Sequence, residues 1–139
     1  MVLSCAMIDL DDFKSINDIY GHPAGDAALQ HFASALRWQL RPQDTVARLG
    51  GDEFALLLMG TSGLDAERIL LRIQGNLNRN LCTLFPEPRP LTFSAGVAQR
   101  TQEEPLAAAL TRADAALLEA KRRSKNCIVR AIADTWATP

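Results

Sequence analysis

Between two apolar runs, TVARL at 45–49 and FALLLM at 54–59, the chain places Gly50, Gly51, Asp52 and Glu53. Two glycines suffice for a tight turn between strands. Two adjacent carboxylates at a hairpin tip need another reason. A further acid, Asp9, directly follows the apolar run 2–8. If that first strand lies beside the hairpin, Asp9, Asp52 and Glu53 meet, and three carboxylates at one point repel unless a cation sits among them. Hard oxygen donors with no histidine or cysteine cluster nearby favour Mg²⁺ or Mn²⁺ over zinc. Such ions suit phosphoryl chemistry, one activating an attacking oxygen and the other steadying the leaving group. The glycines would then let a triphosphate or a base approach the hairpin backbone closely. The competing explanation of DLDD at 9–12 is a cap on the helix that follows.

The charge distribution fits the first explanation. Asp9, Asp11, Asp12, Asp18 and Asp26 crowd the start of the chain with only Lys14 against them, and Lys121, Arg122, Arg123, Lys125 and Arg130 crowd its end. A fold that joins the two ends sets carboxylates beside cations, as a metal–phosphate site requires. Two solvated faces would give the same counts. The net charge of −1 argues for no bulk partner such as nucleic acid. Three cysteines, Cys5, Cys82 and Cys127, have no metal spacing and point to a reducing, cytoplasmic setting. No apolar run approaches the roughly 20 residues that span a bilayer. The VLSC start resembles a lipoprotein box, but only four residues precede Cys5, too few for a signal peptide.

The elements that must position these residues are legible from periodicity. The run 2–8 reads as a buried strand, 11–20 as a short helix stopped by Gly21, and Pro23 as the start of a long helix carrying Leu29, Phe32, Ala33, Leu36 and Leu40. Two strands, 45–49 and 54–59, flank GGDE as a hairpin. Ala66, Leu70, Ile73 and Leu77 mark the next helix, LFPEPRP is a loop, and 91–98 a strand. Leu106, Leu110, Ala113 and Leu117 mark a last helix before a strand at 127–132. The order predicts one α+β domain over 1–139. Its core is βαββαβ, a ferredoxin-like palm with a central, mainly antiparallel sheet and helices on one face. Only the final DTWATP lacks a place in this scheme.

Several separate stretches match one family. DLDDFKSINDIYGHPAGD, RPQDTVARLGGDEF, LTFSAGVA and ADAALLEAKRRSKN occur in order over about 6–130. Together they resemble the GGDEF domains, bacterial diguanylate cyclases with the nucleotidyl cyclase palm. The resemblance implies that two GTP molecules are joined into cyclic di-GMP with release of two pyrophosphates, each subunit of a homodimer holding one GTP. It implies that Asp9, the Leu10 carbonyl, Asp52 and Glu53 bind two Mg²⁺ or Mn²⁺ ions per active site. Asp52 or a metal would help deprotonate the attacking 3′-hydroxyl.

By the same resemblance Asn17 and Asp26 read guanine, since a carboxylate accepts from the N1–H and 2-amino group that adenine lacks. Lys14, Lys121 and Lys125 contact phosphates, with the amides near Asp12 and Phe13 helping to cradle them. Gly50 and Gly51 admit the nucleotide. Taken alone, Asn17 reads as helix surface, Asp26 as a helix-start charge and the two late lysines as helix-end charges. Arg41 and Asp44 form RxxD five residues ahead of Gly50, the family's inhibitory site for cyclic di-GMP, where arginine can stack on guanine and bond its edge. Arg72 is a possible second arginine there.

The sequence also departs from the family. The DxLTGLxNR-type helix ahead of the first strand is missing, which could open one side of the nucleotide pocket. Leu118 replaces a frequent tyrosine, and Ser124-Lys125 stands where glycine-arginine is usual, keeping charge but losing the guanidinium fork. Two functions follow. One is a cyclase switched by a sensory or receiver domain outside this chain; the other is a weak or inactive domain that senses cyclic di-GMP or GTP. The intact set of Asp9, Asp52 and Glu53 favours the first.

Overall fold

The computed structural model describes residues 2–132, so the final DTWATP lies outside the described residues. Strand β1 (Leu3–Leu10) is buried along its whole length. It is the middle strand of five and carries a helical layer on each side. After it come α1 (Phe13–Tyr20), α2 (His22–Gln39), β2 (Thr45–Gly50), β3 (Glu53–Met59), α3 (Gly63–Arg79), β4 (Phe93–Gln99), α4 (Leu106–Arg123) and β5 (Ile128–Arg130). The sheet order is β2-β3-β1-β4-β5, antiparallel except between β4 and β5. The α+β class, the element order and the mainly antiparallel sheet agree with the sequence reading.

Alternation along β1 sorts the two layers. Ala6, Ile8 and Leu10 point into a core with Ala28, Leu29, Phe32 and Leu36 of α2 and Ala66, Leu70 and Ile73 of α3. Cys5 and Met7 point the other way, to Ala109, Ala113 and Leu117 of α4. Helices α2 and α3 thus share one face of the βαββαβ core, as expected, while α4, which follows that core, covers the other face. Right-handed crossovers would place α4 beside α3. That side of β4 and β5 is already occupied by α3, so α4 covers the opposite face and its crossover takes the other hand. Close approach makes this possible. The residues of β4 facing α4 are Ser94, Gly96 and Ala98, and a Cβ at Gly96 would stand 2.0 Å from the Ala113 carbonyl oxygen and 2.3 Å from the Leu117 nitrogen.

Several boundaries also differ. Strand β1 continues through Asp9 and Leu10 instead of ending before them, because the ladder holds both: Asp9 pairs with Glu53 on one side and Ser94 on the other. Helix α1 begins at Phe13, and β5 is only three residues, extended by ladder bonds from the Ala95 amide to the Cys127 carbonyl and from the Ala131 amide to the Val97 carbonyl. In the 80–92 loop, Cys82 and Arg89 form an isolated bridge. All three cysteines are free. Among the described residues no helix is long and apolar enough to cross a membrane.

Candidate functional site

The hairpin between β2 and β3 closes through the pair Gly50–Glu53, so Gly51 and Asp52 alone form its tip. Gly51 has φ +52°, a left-handed conformation that glycine adopts without strain. Arg48 Nε braces the turn by donating to the Gly51 carbonyl at 2.9 Å. The Leu10 amide donates to the Asp52 carbonyl at 3.2 Å, which ties the tip to the end of β1. Register thus brings the GGDE turn and the DLDD stretch together at one end of the central strands.

A cavity of about 330 Å³ opens there, lined by Asp9, Leu10, Asp11, Asp12, Phe13, Lys14, Ser15, Asp52, Lys121 and Lys125. The acidic start and the basic end of the chain do meet. Asp9 is 5% exposed and follows Met7 on the α4 side of β1. One of its oxygens accepts from Lys121 Nζ; the other, Oδ1, is buried with no hydrogen-bond partner among the described residues. Burial pushes the Asp9 carboxyl up, the Lys121 hydrogen bond opposes this only in part, and the charge of Asp52 adds to the rise. Burial works against the Lys121 ammonium, but Asp9, Asp52 and Glu53 outweigh it and hold that pKa up. A buried carboxylate with an orphaned oxygen facing a second carboxylate suits a hard cation. Among the described residues no three acids, histidines or cysteines converge as a ready cage. Glu53 lies opposite Asp9 in register but is exposed and does not line the cavity, so the expected meeting of three carboxylates is only two-thirds present.

On the far side, Asp12 starts α1 in a left-handed conformation, φ 59°, and its side chain does not cap the helix. It accepts instead from Lys125 Nζ at 2.9 Å, which raises the Lys125 pKa. The first amides of α1 therefore remain free to meet an anion. Phe13 and Lys14 line the cavity at this point.

The two residues assigned to guanine sit apart from this cavity. Asn17 packs so closely on α2 that a Cβ at Gly25 would lie 1.7 Å from its Oδ1, and that oxygen is buried without a hydrogen-bond partner among the described residues. Asp26 lines a second cavity of about 320 Å³ between α2 and the hairpin, with Leu29, Gln30, Ala33, Arg37, Arg48 and Phe54. Arg37 and Arg48 did not stand out in the sequence; only the α2–hairpin packing brings them beside Asp26.

The RxxD pair is formed. Arg41 Nε and Nη2 donate to Asp44 at 3.1 and 2.9 Å, and Nη2 also donates to the Met59 carbonyl and to Thr61 Oγ1, both at 2.8 Å. The Asp44 side chain is only 1% exposed; burial pushes its pKa up, but the Arg41 hydrogen bonds prevail and hold it below the usual carboxylate value. Arg72 donates to the Gln39 carbonyl at 3.0 Å, so it holds the end of α2.

The fold agrees with that of known proteins. The family model described as diguanylate cyclase, GGDEF domain, matches residues 2–127. Diguanylate cyclase DgcP of Pseudomonas aeruginosa is 40% identical over 124 residues; the match takes in 89% of this chain but only 18% of that protein's length. The crystal structure of the GGDEF domain of TpbB, also from Pseudomonas aeruginosa, superposes with a TM-score of 0.88 at 40% identity, over 94% of this chain and 83% of that one. That of DgcB from Caulobacter crescentus, solved in complex with cyclic di-GMP, gives 0.87 at 30% identity, over 93% and 77%.

Proposed function

The chain belongs to the GGDEF family of diguanylate cyclase domains, and from this premise we propose that it condenses two GTP molecules into cyclic di-GMP. Each 3′-hydroxyl oxygen attacks the α-phosphorus of the facing nucleotide, the bond to the β-phosphate breaks, and two pyrophosphates leave. Because each nucleotide supplies both an attacking hydroxyl and a target phosphorus, two copies of the site must face one another, and a homodimer is required. The observation that carries this reading is the buried, unpartnered Oδ1 of Asp9 beside Asp52, in one cavity with Lys14, Lys121 and Lys125.

In this reading Asp9, Asp52, Glu53 and the Leu10 carbonyl would hold Mg²⁺ or Mn²⁺, two per site. Ions held there would supply charge to neutralise the triphosphate and would make the hydroxyl easier to deprotonate. Lys14, Lys121, Lys125 and the amides from Asp12 and Phe13 hold the phosphates and stabilise charge on the departing pyrophosphate. Asn17 and Asp26 select guanine, Gly50 and Gly51 leave room at the hairpin, and Asp52 assists loss of the hydroxyl proton. Arg41 and Asp44 form the site at which product inhibits. Control comes from a sensory or receiver domain outside these residues, and the setting is the cytoplasm. The test is Glu53→Gln in a dimeric protein: turnover of GTP should fall at least 100-fold with the melting temperature unchanged, and retained turnover would remove Glu53 from the metal set.

A further inference from the structure

Asp11 takes no part in the proposed chemistry, yet it accepts more hydrogen bonds than any other carboxylate lining the cavity. Its Oδ1 accepts from Ser94 Oγ at 2.7 Å, and its Oδ2 from Thr92 Oγ1 at 2.9 Å and from the Asn126 amide at 2.8 Å. Its own amide donates to the Thr92 carbonyl at 2.9 Å. One buried carboxylate therefore joins the β1–α1 junction, the start of β4 and the corner that follows α4.

That corner is unusual. Lys125 and Asn126 both have positive φ, 55° and 44°. Two consecutive left-handed residues other than glycine persist only where the surroundings hold them. The hold here is Asp11 on the Asn126 amide, with Gln74 Nε2 donating to the Asn126 carbonyl at 2.6 Å. Lys125 leaves this corner toward the cavity and reaches Asp12, the residue next to Asp11.

Resting on the function proposed above, we propose that Asp11 is a positioning residue. It fixes the left-handed corner and so aims the Lys125 ammonium at the triphosphate, acting on the phosphate end of the nucleotide and not on the base. Such a role separates from plain structural support by its ligand dependence. Affinity for GTP with Mg²⁺, and for guanosine, is measured calorimetrically on wild type, Lys125→Ala, Asp11→Ala and the double variant. Each single change should weaken GTP by about 10-fold and leave guanosine unchanged, and the double variant should stay near 10-fold because both remove one coupled contact. A double effect near 100-fold, or a folded Asp11→Ala with wild-type GTP affinity, would overturn the proposal. Should Asp11→Ala fail to fold, Thr92→Val with Ser94→Ala loosens the same clamp and must show the same selective loss of GTP. Wild type that binds no GTP would instead reject the reading of the cavity, and this proposal with it.

Discussion

Burial disfavours the charged form of Asp9, and the sign of that effect is testable. A carboxyl whose folded pKa is raised stabilises the fold fully below its unfolded value and loses that stabilisation as the pH rises through its folded value, above which its charge is a cost. A cation at Oδ1 reverses this. Asp9→Asn should therefore be at least as stable as wild type without metal at pH 7, and Mg²⁺ should raise the melting temperature of wild type alone. Equal stabilisation of both proteins would place the metal elsewhere. Gly25 offers a second test, because a methyl group there must displace Asn17 Oδ1. Gly25→Ala should weaken GTP by about 10-fold with cyclic di-GMP binding at Arg41 unaffected; an unchanged GTP affinity would remove Asn17 from base recognition. Asp9, Lys121 and Lys125 were legible as types in the sequence, but Asp11 was not. In DLDD it looks like one more helix-cap acid, and its donors lie 81, 83 and 115 residues further along the chain. Glu104 was hidden likewise. Nothing in the polar run TQEEP marks it, yet its side chain is fully buried against Arg112 at 2.8 Å.

The elements decide how these residues meet. Periodicity, together with the turn residues between runs, located the helices and strands of the described residues, although β2 is exposed almost throughout and carries no apolar face. It could not say which face of the sheet each helix takes, because α3 and α4 present the same kind of stripe. That choice depends on space already filled by α3 and on the small residues Ser94, Gly96 and Ala98 beneath α4. Gly96 is the sensitive point, and its neighbours are backbone atoms of α4 that cannot turn aside. Gly96→Ala should cost about 1–3 kcal/mol by overpacking. It should also lift α4 away from β1 and separate Lys121 from Asp9. Denaturant unfolding measures the first effect and GTP affinity the second; wild-type values of both would mean that α4 does not bear closely on the sheet.

At the scale of the whole molecule, the sheet order makes the two ends of the sequence one site. β1 lies between β3, which carries the hairpin acids, and β4, which leads through α4 to the lysines. This arrangement gathers one set of carboxylates and one set of lysines at one cavity, and on the proposed function this is half of what a symmetric condensation of two nucleotides needs. The account therefore predicts that a protein held as a dimer by a fused coiled coil, supplied with GTP and Mg²⁺ or Mn²⁺, makes cyclic di-GMP and two equivalents of pyrophosphate, identified by mass. Absence of that product with either metal, while cyclic di-GMP still binds, would contradict the account and leave a nucleotide-sensing domain.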